Sequence, residues 1–278
     1  SHGLLMRTPQ GERAVRVRAT TRAEAESTVD LVIVLVKSFH THQAMSAATA
    51  LVGPKTVVLS LQNGLGHEDV LADIVGHERV LAGKTYVGGV LLAPGRIVAG
   101  VEGKETLIGE LDGRISDRAQ DISTVLNAAG LATTVSDNIV GTMWDKLLIN
   151  VSTGALSGIT RLPYGPLYRI PEIEATAIAA VQEAMAVARA SGVNLSFTDP
   201  RSAWLKAAAG LPDDFKTSML QSLEKGSITE IDFINGAVVR WGQRCGVPTP
   251  VNATLVACIK GIEQRLQFGV PTAGPVRT

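Results

Sequence analysis

Apolar positions along this chain follow two rhythms, and the change between them divides it. From Asp30 the stretch DLVIVLVK is continuously apolar over 31–36, and TVVLSLQNG at 56–64 has the same character. Short unbroken apolar runs bounded by polar residues predict strands apolar on both faces. A helical stretch between them makes a βαβ unit, the unit of a parallel sheet covered on both sides. The strands close on polar residues, Lys37 in the first case, Gln62 and Asn63 in the second. Open α/β sheets bind ligands beyond the carboxyl ends of their strands, which makes Lys37 and Asn63 candidate binding residues. A helix at about 67–75 follows. Glycine-punctuated strands then run through VLAGKTYVGGVLLAPGRIVAGVEGKETLIGEL, antiparallel or edge pieces around a Pro94-Gly95 turn. The opening segment SHGLLMRTPQGERAVRVRAT predicts a hairpin around Pro9-Gln10-Gly11.

After Asn138 alanine-rich helical periodicity replaces strand alternation. Helices are expected over 139–161, 172–191, 199–209, 213–224, 228–244 and 252–267, several stopped by Gly or Pro at Gly192, Gly210-Leu211-Pro212 and Gly246-Val247-Pro248. The expected organisation is an α/β domain over 1–138, built on an incomplete Rossmann-like sheet, and an all-helical domain over 139–278. The terminal GVPTAGPVRT reads as a frayed tail.

Charge narrows the partners. The 278 residues carry 26 basic and 26 acidic side chains, scattered rather than gathered, so neither nucleic acid nor an anionic membrane surface is indicated. The run LVIVLV is far short of the roughly 18 apolar residues of a membrane span. Cys245 and Cys258 are too few for a disulfide scaffold and fit buried free thiols in a reducing, cytoplasmic compartment. His40 and His42 have chelating spacing but no carboxylate or cysteine company, so they read as solvated histidines at a helix start and no metal is expected.

The candidate chemistry lies in WDKLLIN. Lys146 and Asn150 stand four apart in an apolar helical run, so ammonium and amide share one face. Flanked by Leu147, Leu148 and Ile149, that lysine is partly desolvated. Each polar residue also has a plainer reading. Lys146 can snorkel past its helix, Asn150 can be a satisfied buried amide, and Ser218 can be a tolerated small residue. Asn63 before Gly64 is a common turn residue, and Glu230 stands three after Ser227, the spacing of a capping box. No strand, G-x-G-x-x-G turn and helix opens the sequence. LQNGLGHED is its nearest imitation, with Asp69 at the third glycine position, and the chain begins mid-pattern as though that first strand, glycine loop and helix were cut away.

Taken in order, LQNG, WDKLLIN and TSMLQSLEKGSITEIDFING, with GVPTPVN at 246–252, resemble the ketopantoate (2-dehydropantoate) reductase family over nearly the whole chain. The resemblance implies a truncated nucleotide-binding domain followed by a helical domain of the 6-phosphogluconate dehydrogenase C-terminal type. It implies NADPH-dependent reduction of ketopantoate to pantoate by a cytoplasmic homodimer in coenzyme A synthesis. It also implies that Lys146 is the proton donor, that Asn150, Ser218 and Asn63 bind substrate, that Glu230 completes the active-site hydrogen bonding, and that Lys37, Asn63 and Glu230 contact NADP. A cation at the carbonyl oxygen stabilises the charge that hydride addition builds there, then gives up its proton. Two positions depart from the pattern. Ser222 stands where the family usually has Asp, and Gly154 where it often has Asn. Two alternatives are a β-hydroxyacid dehydrogenase-like reductase of another 2-oxo acid and a non-catalytic helical dimerisation module.

Overall fold

The computed structural model describes residues 3–23 and 28–268. It divides into two units, one of residues up to Gln62 with His67–Val140, the other of Asn63–Gly66 with the chain from Gly141 onward.

The first unit is α/β. Its elements are β1 (Leu4–Thr8), β2 (Gly11–Val15), β3 (Val29–Val34), α1 (Thr41–Ala47), β4 (Val52–Ser60), α2 (His67–Val75), β5 (Val80–Thr85), β6 (Gly88–Ala93), β7 (Arg96–Gly100), β8 (Thr106–Gly109), α3 (Asp117–Ala128) and β9 (Thr133–Val135). Strands β3, β4 and β5 run parallel in a five-stranded sheet of order β3-β4-β5-β8-β9. β4 is apolar on both faces because both are covered. Val58 packs with Met45, Leu71 and Val75 on the α1–α2 side, while Val57 and Leu59 pack with Ala119, Ile122 and Leu126 on the α3 side. The expected opening hairpin is β1–β2, and the hairpin around Pro94-Gly95 is β6–β7. They join in a second sheet of order β2-β1-β7-β6.

Three expectations need correction here. β3 is not covered on both faces. Among the described residues it is an edge strand, and Ile33, Leu35 and Val36 in and just after it are exposed by 40%, 60% and 38%. Helix α3 and strand β9 add to the expected elements, with Ser116 accepting from the Ala119 N–H as an N-cap and Ala119, Ile122 and Leu126 recurring at helical spacing. Of the two cysteines, both free, Cys258 is exposed rather than buried.

The second unit is helical: α4 (Ile139–Thr160), α5 (Tyr164–Leu167), α6 (Pro171–Ala190), α7 (Pro200–Ala208), α8 (Ser218–Glu224), α9 (Asn235–Cys245) and α10 (Pro250–Phe268). The helix expected over 213–224 starts only at Ser218, where the Thr217 hydroxyl caps it by accepting from the Leu220 N–H. The one expected over 228–244 is broken. Ile231–Phe233 is a single tight 3₁₀ turn, and α9 begins at Asn235. The expected tail, 269–278, lies outside the described residues. Among those described, no helix is long and apolar enough to cross a membrane.

Candidate active site

α4 is the spine of the helical unit. Trp144, Leu147, Leu148 and Val151 are at most 1% exposed, which fixes the helix's rotation. Lys146 and Asn150 are half-buried on a different stripe, one turn apart, as their spacing requires. Asp145, next to the lysine, is buried and accepts from the Ser196 N–H at 3.1 Å, which anchors the loop after α6. Beyond Asn150 the helix turns small. A Cβ on Gly154 would lie 3.6 Å from the Met219 methyl, and one on Gly158 would lie 3.0 Å from Ile259 Cδ1 and 3.2 Å from Leu223 Cδ1. Small residues here let α8 and α10 press against α4. The packing sets α8 one turn along from Asn150, with Ser218 exposed at its first position and Ser222 half-buried.

Glu230 is buried, 8% exposed, at the entry to the 3₁₀ turn, where its carbonyl accepts from the Phe233 and Ile234 N–H groups. It makes no side-chain cap, and Ser227 instead donates its N–H to the Ser222 carbonyl. The capping-box reading of Ser227 and Glu230 is therefore wrong, because the helix it would cap begins five residues after Glu230.

Asn63 belongs to this helical unit by packing, not to the sheet that precedes it. The Leu65 N–H donates to the Phe233 carbonyl at 3.0 Å, and a Cβ on Gly64 would collide with that same oxygen. Gly64 also has φ +93, so both its conformation and its contact require glycine. Asn63 is thereby held beside the turn that carries Glu230. Gly66, at φ +98, is open, with nothing within 4 Å of a built Cβ. In the first unit Lys37 is exposed just beyond β3, leading into the 3₁₀ turn Ser38–His40.

The hydrophobic pattern gave no sign of one further group. At the carboxyl end of β4, Gln62 donates to the Thr41 hydroxyl and the Val36 carbonyl, both at 2.8 Å. The Gln62 Oε1 and Glu68 Oε1 atoms are buried without a protein hydrogen-bond partner. Burial pushes the Glu68 carboxyl up to about 7. Glu68 reads in sequence as an ordinary first-turn acid of α2, and only the depth of the helix start sets it apart.

With this arrangement in view, the comparisons with known proteins are specific. The family model described as ketopantoate reductase PanE/ApbA matches residues 1–113, and the model of its C-terminal domain matches 138–263. A 2-dehydropantoate 2-reductase of Archaeoglobus fulgidus is 34% identical over 238 residues, covering 85% of this chain and 78% of the relative. The crystal structure of a PanE/ApbA family ketopantoate reductase from Ralstonia eutropha superposes with a TM-score of 0.86 at 34% identity, covering 96% of this chain and 86% of that one. A D-mandelate dehydrogenase, solved with NADH and anilino(oxo)acetate, superposes with a TM-score of 0.85 at 25% identity and the same coverages. Sequence and structure agree, and this chain belongs to the ketopantoate reductase family.

Proposed function

We propose that the protein reduces ketopantoate to pantoate with a nicotinamide cofactor, NADPH in the first instance, as a cytoplasmic homodimer whose residues 1–138 serve the nucleotide and 139–278 the substrate. The carrying observation is the Lys146–Asn150 pair, half-buried on one stripe of a helix whose Trp144, Leu147, Leu148 and Val151 are locked in the core, in a chain of this family. Residues of the helical unit suit the nicotinamide end of a dinucleotide, where Asn63 supplies an amide and the open backbone at Gly66 leaves room for a flat group. In the α/β unit Lys37 supplies a cation at a strand end. Lys37, Asn63 and Glu230 are the proposed cofactor contacts, and the bound cofactor supplies the hydride.

The protein's own part is positioning and proton transfer. Asn150, Ser218 and Asn63 hold the 2-oxo acid by its carboxylate and hydroxyl ends. Lys146 places its ammonium at the ketone oxygen, where it offsets the growing negative charge and delivers the proton that completes the alcohol. Glu230 accepts hydrogen bonds at the same centre and orients the groups around it.

A second reading keeps this chemistry and changes the substrate. Gly154 and Ser222 remove an amide and a carboxylate that the family pattern would place there. The likeness to a D-mandelate dehydrogenase bound to an aryl 2-oxo acid analogue favours a substrate with an apolar arm. Steady-state reduction of ketopantoate and of a 2-oxo acid lacking the hydroxymethyl group, each with NADPH and NADH, decides between them. Lys146→Met keeps the aliphatic stem and removes the proton. It should lower kcat by about 10²-fold or more on the preferred substrate with folding retained. A methionine variant as fast as the parent overturns the assignment.

A further inference from the structure

The 229–233 segment is held by a carboxylate no part of the reaction uses. Glu263 of α10 is 5% exposed, and its Oε1 accepts from both the Thr229 N–H and the Thr229 hydroxyl, each at 2.7 Å. That hydroxyl oxygen in turn accepts from the Ile231 N–H at 3.2 Å. The residues on either side of Glu230 are thus tied to one buried oxygen. One turn earlier on α10, Lys260 bridges Glu263 Oε2 at 3.3 Å and also pairs with Asp232. Burial pulls the Lys260 ammonium down, but hydrogen bonding to Asp232 and the charges of Asp232 and Glu263 hold it above its ordinary value. The turn ends at Phe233, whose carbonyl receives the Leu65 N–H from the segment carrying Asn63.

We propose that Glu263 is a positioning residue for the reaction, fixing Glu230 through Thr229 and, through the same turn, the Asn63 segment. The proposal rests on the active-site reading above. A buried carboxylate that accepts two hydrogen bonds on one oxygen and a cation on the other leaves the turn little freedom. The six residues from Thr229 to Ile234 contain only one short 3₁₀ turn before α9 begins at Asn235, so apart from that anchor the backbone around Glu230 is held by a few turn hydrogen bonds.

The test compares the full chain with Glu263→Ala, Glu263→Gln, Glu230→Gln and the double variant Glu230→Gln/Glu263→Ala, using ketopantoate and millimolar NADPH. Glutamine keeps the accepting oxygen for Thr229 and loses only the charge toward Lys260. Glu263→Ala should lower kcat about 10- to 100-fold while KM stays nearly constant, the cost of a misplaced group. Glu263→Gln should recover the parental rate to within about threefold, and the double variant should be no slower than Glu230→Gln alone. Equal losses from Glu263→Ala in both backgrounds, or no rescue by glutamine, overturn the positioning role. Full activity in Glu230→Gln would instead strike at the active-site reading, as would a parental chain without turnover. Backbone amide exchange then decides the anchor by itself. Glu263→Ala should speed exchange in 64–66 and 229–233 about tenfold and glutamine should restore it, whereas unchanged exchange overturns the proposal.

Discussion

At the scale of single residues, Lys146 and Asn150 share a half-buried stripe of α4, and Glu68 lies buried at the start of α2. The four-residue spacing of Lys146 and Asn150 dictated a shared helix face before any coordinates. That Glu230 serves no cap could not be read, because the spacing from Ser227 is identical whether a helix starts there or five residues after Glu230. Glu68 was invisible for a similar reason, since an acid in a first helical turn is usually solvated and favourable. Its burial makes a prediction with a definite sign. A carboxyl whose folded-state pKa is raised, here from 4.5 to about 7, favours folding fully below pH 4.5 and loses that contribution as pH rises through 7. The full swing is about 3 kcal/mol by linkage. Glu68→Gln, which carries no charge at any pH, should raise the melting temperature at pH 8 and leave it nearly unchanged at pH 4.5. Thermal unfolding of both proteins across that range checks it. An equal shift at both ends would mean that the carboxyl is not protonated in the folded protein.

At the scale of elements, long periodic helices and two-faced strands were written plainly, and junctions were not. α4, α6 and α10 fall within two residues of their expected bounds because each repeats its apolar stripe over many turns. Periodicity alone joins α9 to the segment before it, because TEIDFING keeps helical spacing across a break that only the packing of Phe233 reveals. The same packing separates two glycines that look alike in LQNGLG. Gly64 and Gly66 both have positive φ, but only Gly64 presses on another backbone. Gly66→Ala should cost about 1 kcal/mol, the penalty of a left-handed backbone for a residue with a side chain. Gly64→Ala should cost distinctly more and should also release the Leu65 amide to solvent exchange. Equal losses in a paired denaturation series would show that docking on Phe233 contributes nothing beyond backbone strain.

At the scale of the whole molecule, the division into an α/β and a helical part followed from the change in periodicity, because a period of two and a period of 3.6 bury different faces. The sequence did not disclose which strand lies at the edge. An unbroken apolar run reads as a covered central strand, and β3 satisfies that pattern while pairing with β4 alone among the described residues. Among the described residues no strand pairs with its outer side, where Ile33, Leu35 and Val36 are exposed, a surface suited to another strand or another molecule. A polypeptide of these 278 residues is therefore expected to self-associate through this edge in a concentration-dependent way. The double variant Ile33→Lys/Leu35→Lys should shift sedimentation toward the monomer, because a lysine at an edge makes pairing with a like copy repulsive. Both positions are exposed, so the melting temperature should change by no more than the roughly 0.5 kcal/mol of an ordinary surface substitution. An unchanged sedimentation profile at every concentration would move the self-association surface away from β3 and leave the helical unit as the place where two copies meet.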